Sequence, residues 1–218
     1  MQIQNHIITN IPVFEIRDTF EKLLDFFKEN TFSHIAVCEQ GRYLGVFSEN
    51  DMDVVNRNAI VDDYRYDLES FFVRKETNWL DVLEVFARNE ANLVPVLNEK
   101  EEVLGYYDLT DIVSVFIDTP FFTDPGNILV LATGIKDYSF SEISQIVESN
   151  NARFLGGFIT DIQNDVVQVT IKISTTNFNE VVQTFRRYNY HILFGNVDDQ
   201  FIEDLKNRSD YLDKYLNV

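Results

Sequence analysis

Two tetrapeptides hold polar groups at a spacing that lets them act together: Ser48-Glu49-Asn50-Asp51 and Asp108-Leu109-Thr110-Asp111. Residues three apart share one side of a helical turn, so each pair could meet a common partner. That partner could be the helix itself. Ser48-x-x-Asp51 reads as a capping box, with Ser48 closing the N3 amide and Asp51 reaching back to the cap's own N–H, and Asp108-x-x-Asp111 would cap a helix as well. Covalent chemistry finds little support elsewhere. There is no Gly-x-x-x-x-Gly-Lys-Ser/Thr, no Gly-x-Gly-x-x-Gly and no Gly-x-Ser-x-Gly, so an enzyme of a motif-bearing class is not expected. His6, His34, His191 and Cys38 stand singly and far apart, which is not metal-site spacing. His34, at the start of a strand, reads as a satisfied, partly buried histidine. Asp51-Met52-Asp53 and Asp62-Asp63 lack the glycine and final Glu of a calcium loop and read as solvated charge.

Composition narrows the partners. The 218 residues are 45% hydrophobic and carry a formal charge of −18, enough apolar material for real cores and a sign that repels nucleic acid and anionic lipid. An anionic ligand would have to be held by backbone N–H groups and helix N-termini, because basic side chains are scarce. The run Ile128-Leu129-Val130-Leu131-Ala132 is far short of the roughly 20 apolar residues of a membrane span. The N-terminus shows no signal-peptide pattern and Cys38 has no partner cysteine, so a cytoplasmic protein is expected.

The two tetrapeptides belong to a larger repeat. Gly45-Val46-Phe47-Ser48-Glu49-Asn50-Asp51 is echoed 60 residues later by Gly105-Tyr106-Tyr107-Asp108-Leu109-Thr110-Asp111. Before the first copy, Thr19 to Asn30 has the apolar spacing of a helix with Asp18 as a candidate N-cap. His34 to Cys38 follows as a buried strand, Gln40-Gly41 as a turn and Tyr43 to Phe47 as the returning strand. Another helix should begin at Ser48. The second copy repeats this order, with a helix from Trp79 to Asn89, strands Leu93 to Leu97 and Val103 to Tyr107, and a helix from Asp108. Arg57 to Asn78 should carry the chain between copies.

This duplicated order, with its strand ending in Gly-h-h-(Ser/Thr)-x-x-Asp (h apolar), resembles a tandem pair of CBS (cystathionine-β-synthase-type) domains. The resemblance implies two βαββα units over 1–60 and 61–122, packed sheet to sheet with two clefts, in which family members often bind adenosine-containing ligands such as AMP, ATP or S-adenosylmethionine. It implies Ser48 against phosphate and Asp51 on the ribose diol of the first cleft, with Asp108 and Asp111 in the second. A carboxylate can accept hydrogen bonds from both ribose hydroxyls. Asp108 departs from the pattern, since a carboxylate there repels phosphate unless a cation or proton intervenes.

Thr119 to Gly126, with two of the four prolines, is the expected boundary. Beyond it strands at 128–132, 153–160, 166–173 and 190–194 alternate with helices at 141–149 and after Asn177 or Asn179, giving βαββαβ, the ferredoxin-like split. This stretch, 126–196, resembles an ACT domain, a regulatory unit that often binds amino acids at a dimer interface. Phe140-Ser141 replaces the Pro-Gly that amino-acid-binding members usually have, and a side chain fills space that glycine leaves to a ligand. A pairing role for the domain is the alternative. Residues 197–218 read as an amphipathic C-terminal helix, docked on its own chain or used in a dimer contact. The whole is an α/β (α+β) chain similar to acetoin-utilisation-type regulatory proteins. The expectation is a non-enzymatic, homodimeric sensor with no bound metal and an adenine nucleotide as candidate ligand. The alternatives are an ACT-type small-metabolite regulator and a ligand-free assembly module.

Overall fold

A computed structural model describes residues 3–195, so the helix expected at 197–218 lies outside the described residues. The chain divides into two compact units, 1–118 and 119–218.

The first unit is the duplicated one. Its first copy runs β1 (Phe14–Glu15), α1 (Phe20–Glu29), β2 (His34–Glu39), β3 (Arg42–Ser48) and a 3-10 helix (Glu49–Val54). The second runs β4 (Val73–Arg74), α2 (Trp79–Arg88), β5 (Leu93–Leu97), β6 (Val103–Asp108) and α3 (Leu109–Ile117). In each three-stranded sheet the short first strand is parallel to the central strand, which pairs antiparallel with the third. The central strands are continuous apolar runs because they are buried along most of their length. Phe20, Leu23 and Phe27 of α1, and Val82 and Phe86 of α2, follow helical spacing onto one core shared by both copies.

Three local expectations change. Thr19, not Asp18, occupies the N-cap of α1; Asp18 lies one residue early and instead accepts from Glu15 N at 2.9 Å and pairs with Lys22. The turn after Ser48 is 3-10 rather than α, whereas its counterpart α3 is a true α-helix anchored by buried Ile112. β1 and β4 were not foreseen, being two residues long and too short for any periodicity to register.

The repeated glycine has a tertiary cause. The lead-in of each copy pairs with the third strand of the other: Ile8 exchanges backbone hydrogen bonds with Tyr106 (2.8 and 2.9 Å), and Glu69 with Val46 (2.9 and 3.0 Å). An ideal Cβ on Gly105 would stand 2.3 Å from Ile8 O, and one on Gly45 2.6 Å from Glu69 O. Only glycine lets the crossing backbone this close. The same quasi-twofold relation links Ser33 and Asn92, where Ser33 N donates to Asn92 Oδ1 (2.7 Å) and Asn92 N to Ser33 Oγ (2.8 Å).

In the second unit a short α4 (Pro120–Thr123) precedes β7 (Asn127–Gly134), α5 (Phe140–Ser149), β8 (Arg153–Gln163), β9 (Val166–Ser174), α6 (Phe178–Arg187) and β10 (His191–Phe194). The antiparallel sheet has order β10-β7-β9-β8, the ferredoxin-like βαββαβ arrangement expected from the element order. Val167, Val169, Ile171 and Ile173 alternate onto the helix side, where they meet Ile143, Val147, Val181 and Phe185. Ser139 caps α5 through Glu142 N, while Asn177 occupies the N-cap of α6 without a side-chain cap bond. Among the described residues no helix is long and apolar enough to cross a membrane.

Candidate functional site

Each motif sits where a third strand ends and a helix begins. Counting back from the Gln40-Gly41 turn would set His34 opposite Phe47, but the register shifts by one between Val37 and Cys38 and sets His34 opposite Ser48. The shift recurs in the second copy between Val96 and Leu97, leaving Leu93 opposite Asp108.

The two turns use their polar groups differently. Ser48 is 5% exposed, and its Oγ accepts from Asn50 N at 3.2 Å. The reciprocal capping box is therefore not made: the hydroxyl closes the N2 amide, and the half-buried Asp51 carboxylate has no hydrogen bond or ion pair to the chain among the described residues. In the second copy Asp108 Oδ1 accepts from Thr110 N (2.8 Å) and Asp111 N (3.3 Å), as a helix cap should, and Asp111 is exposed. Both leading amides are also engaged, Glu49 N with Ser33 O (2.8 Å) and Leu109 N with Asn92 O (3.0 Å).

A histidine and a glutamate complete the first site. His34 is 5% exposed, with Nδ1 2.8 Å from Ser33 Oγ, Nε2 3.4 Å from Glu69 Oε1, and the Phe71 ring edge-on at 5.0 Å. Because Asn92 N already donates to Ser33 Oγ, the hydroxyl proton is available to Nδ1, which puts the neutral ring's own proton on Nε2 toward Glu69. Burial pushes the His34 pKa below its ordinary value, against the opposing pull of Glu69 and Asp51. His34 was legible only as a buried histidine. Glu69 carried no local signal, since it reaches the first copy from the lead-in of the second.

This depressed pKa predicts a pH dependence. From about pH 6.5 down to the folded-state value, the unfolded chain holds a proton that the folded chain does not, so stability falls as pH falls through that window. The slope attributable to His34 should not exceed about 1.4 kcal/mol per pH unit. His34→Leu, which installs the residue found opposite Asp108, should abolish it. Denaturant midpoints measured between pH 5 and 8 check this, and an unchanged slope in the variant would contradict it.

Two cavities lie away from the motifs. One of about 250 Å³ is lined in the first unit by residues including Phe72, Arg74, Thr77 and Arg88. Another, of about 690 Å³, lies in the second unit where β7 leads into α5, with Asp137, Glu142, Arg187, Asn189 and His191 in its lining.

Comparison with known proteins finds solved structures to which the chain is similar. The chain is similar to a CBS domain pair/ACT domain protein from Thermotoga maritima, with 21% identity, TM-score 0.49, and 54% of this chain and 98% of that chain covered. It is similar to the cytosolic domain of the Mg2+ channel MgtE in complex with ATP, with 23% identity, TM-score 0.44, and 50% and 46% covered. It is also similar to CBSX2 in complex with AMP, with 16% identity, TM-score 0.43, and 53% and 96% covered. No curated protein matches the chain. The family model described as CBS domain matches twice, at residues 3–57 and 60–118, together just over half of the sequence. The chain belongs to the CBS-domain family and carries the domain as a tandem pair.

Proposed function

We propose that this protein is a non-enzymatic regulatory sensor whose CBS pair takes an adenosine-containing ligand of the AMP, ATP or S-adenosylmethionine class. Ser48 and Asp51 serve the first site, and Asp108 and Asp111 stand at its equivalent in the second copy. One observation carries the reading: Asp51 is a half-buried carboxylate with no hydrogen bond or ion pair among the described residues, three residues on from the buried Ser48 hydroxyl. A diol answers that vacancy, because its two O–H groups can donate to one carboxylate. In the second copy Asp108, the counterpart of Ser48, caps α3 through Oδ1, and Asp111, the counterpart of Asp51, is exposed rather than half-buried.

A second reading rests on the other unit. Its polar cavity holds both charge signs at the mouth of α5, which suits a small zwitterion and supports an ACT-like metabolite regulator in the manner of acetoin-utilisation-type proteins. A cytoplasmic homodimer fits either reading, a twofold contact being the commonest closed assembly. Light scattering tests the dimer, and a particle of single-chain mass at micromolar concentration would exclude it.

Thermal denaturation against adenosine, AMP, ATP, S-adenosylmethionine and the twenty amino acids separates the readings. A ligand at 100 times its Kd should add about 2.7 kcal/mol to the unit it binds. A shift with adenosyl compounds alone supports the first reading, a shift with an amino acid alone supports the second, and no shift leaves a ligand-free assembly module.

A further inference from the structure

The first site is built almost wholly of groups that disfavour negative charge. Glu69 stands 3.4 Å from the His34 ring, His34 lies opposite Ser48 in the β2–β3 hairpin, and the Asp51 charge acts on the same ring. Glu49 follows Ser48 directly. The N–H groups that could have offset these carboxylates are committed within the chain, Glu49 N to Ser33 O and Asn50 N to Ser48 Oγ. The 3-10 turn is six residues long and supplies little dipole. Five cationic side chains of the unit are committed to carboxylates other than those of this site: Lys22 pairs with Asp18, Arg42 with Glu101, Arg57 with Glu21 and Asp25, Arg65 with Glu39, and Arg88 with Glu84.

Building on the adenosyl-ligand reading above, we propose that the first site selects by charge, taking an adenosyl ligand that is uncharged or cationic beyond the ribose and rejecting one that ends in phosphate. Glu69 is the specificity-determining residue. Held at His34, it occupies the neighbourhood of Ser48 in which a 5′ substituent would stand, so a phosphate meets uncompensated carboxylates while a hydroxyl or a sulfonium does not. Asp51 plays its diol role for every ligand of the class and does not discriminate among them.

The test is isothermal titration of the full chain at pH 8 in EDTA with adenosine, AMP and S-adenosylmethionine. Wild type should bind adenosine about tenfold or more tightly than AMP, and S-adenosylmethionine at least as tightly as adenosine. Glu69→Gln should narrow the adenosine-to-AMP ratio by about fivefold or more while leaving adenosine affinity within about twofold. Glu69 joins β3 through its backbone and its side chain is partly exposed, so the variant should fold, and the emission of Trp79, the chain's single tryptophan, checks this. AMP binding as tightly as adenosine in wild type, or an unchanged ratio in Glu69→Gln, overturns the charge selection and leaves the adenosyl site standing. Binding of none of the three removes the adenosyl reading, and the selection with it.

Discussion

Gly105→Ala should destabilise the CBS pair by about 2–5 kcal/mol, the largest effect expected from a single methyl group in this chain. Two penalties combine. The added Cβ would stand 2.3 Å from Ile8 O and 2.8 Å from the Ile7 side chain, closer than atoms approach without something shifting, and Gly105 has φ +150°, which side-chain-bearing residues rarely adopt. Relief requires the lead-in strand to move off β6, which breaks the Ile8–Tyr106 hydrogen bonds. Gly45→Ala meets Glu69 O at 2.6 Å and should act in the same direction. Gly41→Ala is the control: its Cβ meets nothing within 4 Å, so it carries only the cost of φ +79°, about 1 kcal/mol. Trp79 lies in α2, so its fluorescence during denaturation follows this unit. A Gly105→Ala midpoint equal to that of Gly41→Ala would show that the crossing strand yields freely.

Asp51→Ala should weaken adenosine binding by at least about tenfold while leaving stability nearly unchanged. Two charge-assisted hydrogen bonds to a ribose would be lost, at about 1.5–3 kcal/mol each. The stability half of the prediction follows from the cap geometry, since Ser48 closes its turn through Asn50 N and needs nothing from Asp51. A folded Asp51→Ala chain that binds adenosine like wild type would remove the carboxylate from the site. The second copy supplies the converse experiment. Asp108→Thr keeps an oxygen to cap α3 but deletes the charge, so AMP affinity there should rise. AMP affinity of the second copy left unchanged by Asp108→Thr would show that the Asp108 charge is immaterial.

The order of elements was readable because it is written locally. Apolar runs such as Leu93–Leu97, the helical spacing of Phe20, Leu23 and Phe27, and the strict alternation of Val167 to Ile173 need only neighbours in sequence to declare themselves. The 60-residue echo did the same for the pair, and the strand and helix order of 127–194 did so for the ferredoxin-like sheet.

Contacts between residues far apart in sequence had to wait for the tertiary structure. The glycine of the motif read only as one residue of a strand, yet Gly105 is required by a backbone almost a hundred residues away, at Ile8. Capping divided the copies in a way that the tetrapeptides could not show, because whether a carboxylate is free or engaged depends on where the neighbouring amides point. Asp108 took its cap while Ser48 left Asp51 unengaged. The sequence by itself thus determined the elements and their duplication, since period and repeat are properties of a line. Only the fold decided that Glu69 would reach His34, since that meeting requires one copy's lead-in strand to cross onto the other's sheet.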